Sequence, residues 1–225
     1  MPFPMIHLYV AKQVATEHKE LIKSLPQFYL GVLSPDSIHF RDEFIANDKK
    51  VTHLCVSDEG WGYVTNNAEW TQNVLSFLDA YKDTDDFSFV FGYCVHIISD
   101  IYNNIYIWTP YRLDLNVKMD KYYGGSYHKA NGAVDFRLAD EFKDKKEIWE
   151  LLEKAKAITI PGIVNAEDIE RLKANILYKQ YESDTTKPTE SGEYTYKDAL
   201  NIIEKMTSFV TETLKQTGGQ HENLY

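Results

Sequence analysis

The sequence predicts an all-α protein, a single-domain multi-helix bundle, and three observations carry that prediction. Apolar residues recur with helical spacing along most of the chain. The longest apolar and aromatic run, Phe87–Trp108, has the length of a helix rather than of a strand. No alternating pattern competes; Val51–Val56 is the best strand candidate, and it is short.

The elements follow in order. Pro4 suits the first turn of a helix through Met5–His18, whose Ile6, Val10 and Val14 repeat every four residues. A second, short helix is expected at Phe28–Leu33, closing near Ser34-Pro35. Residues 42–67, rich in Asp, Lys, Asn and Gly, read as a long excursion of the kind that is usually functional or mobile. Helices are then predicted at Glu69–Tyr81, Phe87–Tyr106, Tyr122–Phe142, Lys145–Ala157, Ala166–Tyr181 and Tyr196–Gln216. Asn165 and Asp168 suit the start of the 166–181 helix as capping residues. Glu182–Glu193 reads as a polar linker. The domain is assigned to residues 1–217, and 218–225 to a flexible tail; its Glu-Asn-Leu-Tyr ending is also the opening of a common engineered protease site.

Composition narrows the function. A chain of 225 residues supplies a core for one domain, and an aromatic content of 14% argues for order. The net charge of -10 gives no nonspecific hold on nucleic acid or anionic lipid, since both reward clustered Lys and Arg. Cys55 and Cys94 form no CxxC pair and read as reduced thiols. The N-terminal run lacks a basic segment and is too short for a signal peptide, and no apolar stretch has membrane-spanning length, so a cytoplasmic location without stable membrane association is expected.

The chemistry concentrates at four stations. His7 lies on the first helix; Asp36, His39 and Arg41 follow the second; His53 sits in the excursion; His96 and Asp100 interrupt the apolar 87–108 run. A spacing of four stacks His96, Asp100 and Asn104 on one helical face. A buried face of imidazole, carboxylate and amide must be satisfied, because an unpaired buried polar group costs about 1–3 kcal/mol. A divalent cation satisfies the first two together. Imidazole and carboxylate suit zinc and related first-row metals, and His7, Asp36, His53, His96 and Asp100 exceed the needs of one four-coordinate ion, so one to two ions are expected. Paired ions can clamp a phosphoryl group and activate water. Each residue also has a plainer reading: His39 pairs locally, Asp36 caps a helix, His96 is a hydrogen-bonded core histidine, and His18 and His221 are solvated.

The ordered set His7, FYLGVLSPDSIHFR, THL and GYCVHIISDIYNNIYIWTP resembles the zinc-dependent phospholipase C family, whose helical fold is shared with S1/P1-type nucleases. The similarity covers about residues 1–140. It implies a bundle in which clustered zinc ions hydrolyse phosphodiesters, with Asp36, His53 and His96 on one zinc, Asp100 bridging, His7 on a second, and Asp36 matching the base that activates water. The family's third site departs here. Tyr106 stands where a histidine is needed, and the later pair corresponds to Asn131 and Asp135, or is replaced by His128. The chain is expected to have no leader, which would set it apart from secreted members, which use a freed N-terminal residue as a ligand.

The expected function is therefore metal-dependent hydrolysis of a phosphoester, on a small soluble phosphodiester or a phospholipid-like ester, with Arg41 and Arg112 as candidate phosphate contacts. The alternative is a non-catalytic all-α binding module with a buried His/Asp pair or a purely structural metal. An HD-type phosphohydrolase is disfavoured, because no adjacent His-Asp pair occurs.

Overall fold

Glycines at one helix crossing set the centre of the molecule. In this computed structural model, which describes residues 3–114, 125–182 and 194–218, helix α2 (Leu25–Leu33) and helix α5 (Phe87–Asn103) meet at Gly31 and Gly92. A Cβ on Gly31 would stand 2.0 Å from the Phe89 carbonyl oxygen, and one on Gly92 would stand 2.0 Å from that of Phe28. Only residues without a side chain allow two backbones so close. α5 is buried along nearly its whole length. Around it pack α1 (Pro4–Glu17), α2, α4 (Asn67–Ala80) and α10 (Tyr196–Gly218), while α7 (Ser126–Glu141) and α8 (Lys145–Lys154) cover α1 and α2.

The described residues are helical and contain no sheet; one isolated antiparallel bridge joins Ile160 and Val164. The all-α expectation holds, with local corrections. α2 begins three residues before the expected Phe28, because the Ser24 hydroxyl caps the Gln27 N–H and Pro26 fits the first turn. It ends at Leu33, where expected, and the chain continues as a 3-10 turn, Ser34–Phe40. The strand candidate at Val51–Val56 is instead the end of a short helix, α3 (Lys49–Thr52), closed by Leu54 in the left-handed region (φ 53°).

α4 starts two residues early. Asn66 accepts from the Glu69 N–H at 3.2 Å and donates to the Glu69 carboxylate at 2.8 Å, a reciprocal cap that the sequence contains as Asn-x-x-Glu. The 87–106 helix runs further than predicted, through a π turn (Asn104–Trp108) into α6 (Thr109–Asp114). Pro110 has no N–H to offer the carbonyl four residues back, and the wider turn just before it absorbs the ring. α9 (Ala166–Asn175) likewise ends in a π turn, Ile176–Gln180. Asn165 holds the N-cap position, but its side chain caps nothing and donates weakly to Asp168 at 3.5 Å. α10 includes Gly218, so the expected tail begins at least one residue later; residues 122–124, 183–193 and 219–225 lie outside the described set.

The excursion is packed down. Tyr93 Oη donates to the Thr52 carbonyl (2.5 Å), Trp70 Nε1 to that of His53 (2.6 Å), Asn104 Nδ2 to that of Val64 (3.0 Å) and Trp108 Nε1 to that of Gly62 (2.7 Å). Trp61 and Trp70 are buried packing residues.

The crossing makes a direct prediction. Alanine is the better helix former by about 1 kcal/mol, yet Gly92→Ala is expected to destabilise by about 1–3 kcal/mol or more, because backbone cannot move aside. Gly60→Ala, whose Cβ would meet only the Tyr63 ring at 3.6 Å, is expected to stay within about 0.5 kcal/mol. Urea midpoints measure both. Equal midpoints for Gly92→Ala and wild type would remove the crossing as a constraint.

Candidate metal centre

The four stations of the sequence converge beside this crossing. His96 and Asp100 lie one turn apart on α5, His7 comes from α1, Asp36 from the 3-10 turn and His53 from the end of α3. His7 and His96 stack face to face, with ring centroids 3.7 Å apart and planes 8° from parallel. His7, His53, His96 and Asp100 are buried, whereas the Asp36 side chain keeps 18% of its surface exposed.

Backbone carbonyls aim two of the rings. His96 Nδ1 donates to the Val32 carbonyl at 2.7 Å. That carbonyl belongs to the last turn of α2, where acceptors lack intrahelical partners, and Pro35 offers no N–H three residues on. His53 Nδ1 donates to the Lys49 carbonyl at 2.9 Å. With Nδ1 protonated, each ring presents an Nε2 lone pair to the cluster, the arrangement by which carbonyls orient metal-ligating histidines. Burial, reinforced at His53 by the Lys49 charge, lowers the pKa of His53 to about 3 and that of His96 to about 4, and it holds His7 well below the ordinary histidine value. All three imidazoles are neutral at pH 7, as ligands must be.

The spacing then tests whether an ion fits. His53 Nε2 lies 3.2 Å and His96 Nε2 3.8 Å from Asp100 Oδ2, while His7 Nε2 lies 3.6 Å from Asp100 Oδ1 and His53 Nε2 3.6 Å from Asp36 Oδ1. Among the described residues the three Nε2 atoms and both Asp100 oxygens have no hydrogen-bond partner. Two donors each about 2.1 Å from a tetrahedral zinc stand about 3.4 Å apart. The observed separations bracket that value. Leaving two buried carboxylate oxygens undonated costs several kcal/mol without a cation. The residues fit a first-row divalent ion.

Lys49 is the member that sequence reasoning missed. Its Nζ lies 2.6 Å from Asp36 Oδ1 and 5.4 Å from the centre of the Trp61 ring, in a buried position. The signal was present as Lys-x-x-x-His, which puts Lys49 and His53 one turn apart. Lysine at that station is unusual enough to alter the electrostatics. Burial raises the pKa of Asp36, but Lys49 and the nearby histidines outweigh it and hold this carboxyl well below the usual range. Asp100 has no such partner, and burial lifts its pKa to about 6.

The remaining candidates go elsewhere. His39 borders the centre, 3.7 Å from Asp36 Oδ1 and 36% exposed, with an edge against Phe44. Asn104 donates to Val64 and Asn67 and accepts from Thr109, so it pins the excursion. Asn131 donates to the Tyr127 carbonyl, and His128 packs against Phe3. Both Asp135 oxygens are engaged, one by the Met5 N–H at 2.9 Å and one by the Tyr181 hydroxyl at 2.5 Å. Neither His128 nor Asp135 joins any group of three clustered ligand atoms among the described residues, so the possible third metal position on α7 is taken up by structural hydrogen bonds. Arg41 pairs with Asp168 at 3.1 Å. Arg112 lies over the Tyr63 ring, about 18 Å along the helix axis from Asp100. His18 is half-buried with its edge to Phe91, not solvated.

Compared with family models, curated proteins and solved structures, the chain has no significant match. Its chemistry is therefore read from this geometry.

Two outcomes are expected. In metal-loaded protein, chelation lowers the melting temperature, because the ion ties segments distant along the chain together only in the folded state, and amide exchange rises first around His53. A stripped sample that melts like the loaded one would deny the ion a structural role. Asp135, whose pKa burial raises to about 7, binds its proton more tightly folded than unfolded. Its contribution is complete below about pH 4 and is lost as pH rises through about 7. Subtracting the Asp135→Asn stability curve from that of wild type should expose this decline; a difference that is flat between pH 4 and 7 would show that the proton is held no more tightly in the folded state.

Proposed function

We propose that this protein is a metal-dependent hydrolase of phosphoester bonds, with a centre resembling that of zinc-dependent phospholipases C. One observation carries the reading: three buried imidazoles, two with their Nε2 lone pairs fixed by a carbonyl at Nδ1, face two donor-free carboxylate oxygens at ligand-to-ligand distances, and the neighbouring carboxylate that is partly exposed is Asp36. A cluster made only for stability has no need of that partly exposed carboxylate.

His7, His96 and Asp100, whose ligand atoms lie within reach of one ion, would hold it, zinc or a similar first-row metal, with His53 beside them. When bound, it supplies Lewis-acid polarisation of a phosphoryl oxygen and acidifies water. Asp36, the partly exposed carboxylate beside the cluster, would accept a hydrogen bond from the attacking water. Its low pKa makes it an orienting acceptor more than a strong base. The buried walls exclude bulk water from the reacting phosphorus, which strengthens each charge interaction there. Arg41 and Arg112 take no part in this scheme, since one is paired with Asp168 and the other is remote. The net charge of -10 favours a small soluble phosphodiester over an anionic bilayer, and no helix among the described residues is long and apolar enough to cross a membrane. A cytoplasmic setting belongs to the same proposal.

The burial of His7, His53, His96 and Asp100 favours a second reading, a purely structural ion in a non-catalytic module. Turnover separates the two. Zinc-loaded protein is expected to hydrolyse bis(p-nitrophenyl) phosphate faster than phosphatidylcholine vesicles, and Asp36→Asn is expected to lower kcat by about 10²-fold or more. Zinc binding without turnover would establish the structural reading. Faster vesicle hydrolysis would reverse the substrate claim, and full activity in Asp36→Asn would remove that residue from the mechanism.

A further inference from the structure

We propose that the cluster is a one-ion centre in which the Lys49 ammonium supplies the second positive charge, in the place where a two-ion site would hold its second metal. The inference rests on the metal-dependent reading above and deepens it.

Valence is the first support. The clustered ligand atoms form two overlapping groups, His7 with His96 and Asp100, and Asp36 with His53 and His96. Both groups need His96. Its Nδ1 is spent on the Val32 carbonyl, so only the Nε2 lone pair is left, and one lone pair binds one ion. Whichever ion takes His96 leaves the other group with two protein ligands instead of three.

Position is the second support. Lys49 Nζ sits 2.6 Å from Asp36 Oδ1, the oxygen that also lies 3.6 Å from His53 Nε2. It therefore holds the carboxylate oxygen a second ion would share with His53. The placement is built rather than accidental. The Lys49 stem is buried, its ammonium lies near the Trp61 ring, and its own carbonyl fixes the His53 ring. The Trp61 backbone N–H in turn donates to Asn47 Oδ1 at 3.2 Å, which anchors the chain behind the ammonium.

Charge is the third. With both carboxylates ionised and the imidazoles neutral, Asp36, Asp100 and Lys49 leave one net negative charge. One divalent ion turns this into a single positive charge, which an incoming phosphodiester monoanion cancels. Two ions would leave three positive charges in a buried site, where uncompensated charge is costly. Lys49 thus does for a phosphoryl oxygen what a second metal does elsewhere, as a fixed cation beside the ion.

Native mass spectrometry and elemental analysis of the zinc-saturated full chain read the proposal directly. Wild type is expected to hold one zinc. Lys49→Met, which keeps the apolar stem and removes the charge, is expected to admit a second, while Lys49→Arg stays at one. Two zinc ions in wild type would overturn the one-ion claim without any variant. A folded Lys49→Met, checked by circular dichroism, that still holds one ion would overturn the role of Lys49; should that variant not fold, Lys49→Gln takes its place. A wild type that binds no zinc would instead refute the metal-dependent reading itself.

Discussion

The crossing of α2 and α5 is the constraint on which the centre depends. Gly31 and Gly92 let the two backbones touch, with each absent Cβ replaced by a carbonyl of the partner helix. The contact sets the separation of the helices and hence the place of the last turn of α2. From that turn the Val32 carbonyl meets His96 Nδ1 at 2.7 Å. A side chain at either glycine would push this acceptor away, and the ring of His96 would lose the bond that fixes its tautomer and direction. Packing of a few ångströms at one crossing is thereby translated into ligand geometry one turn further along α5.

Electrostatic asymmetry is the second theme. Two carboxylates sit in one buried cluster, and the fold treats them in opposite ways. Asp36 has Lys49 and a share of solvent, so its charge is compensated within the chain. Asp100 has three neutral imidazoles and no donor, so burial favours its protonated form until a cation takes the proton's place. The free energy withheld from Asp100 in the bare cluster is what an ion can recover. That division matches the roles proposed for the two, one fixing water and the other holding the ion.

The excursion from 42 to 66 shows how a polar segment becomes a rigid wall. Its backbone carbonyls receive the indole N–H groups of Trp70 and Trp108, the Tyr93 hydroxyl and the Asn104 amide, all from helices. Three aromatic residues, Trp70, Trp108 and Tyr93, thus help to anchor a loop that carries two members of the centre, Lys49 and His53. Aromatic residues with a polar tip suit the task, because each buries apolar area and still offers a donor.

Much of this was legible in the residues themselves. Helical periodicity determined the class and most elements, because burial of one face requires it wherever the chain folds as helices. The i, i+4 pairing of His96 with Asp100 was equally local, since helix geometry alone places them on one face. The π turns, the early start of α4 and the helix at Lys49–Thr52 escaped that reading, since apolar spacing is blind to local hydrogen bonds and to a proline's missing donor. The role of Gly31 and Gly92 was hidden as well, because a glycine's effect depends on what approaches it. Sequence by itself could nominate His7, Asp36, His53, His96 and Asp100 by chemical type and Asn104 by its helical face, while Asn131 and Asp135 came only from the family resemblance. Only the tertiary structure set them apart, by engaging Asn104, Asn131 and Asp135 elsewhere and leaving the three Nε2 atoms and the Asp100 oxygens without partners. It alone brought Lys49 to Asp36, because whether a surface-type charge lies in solvent or against a carboxylate is decided by how segments distant along the chain are packed, and no local pattern encodes that distance.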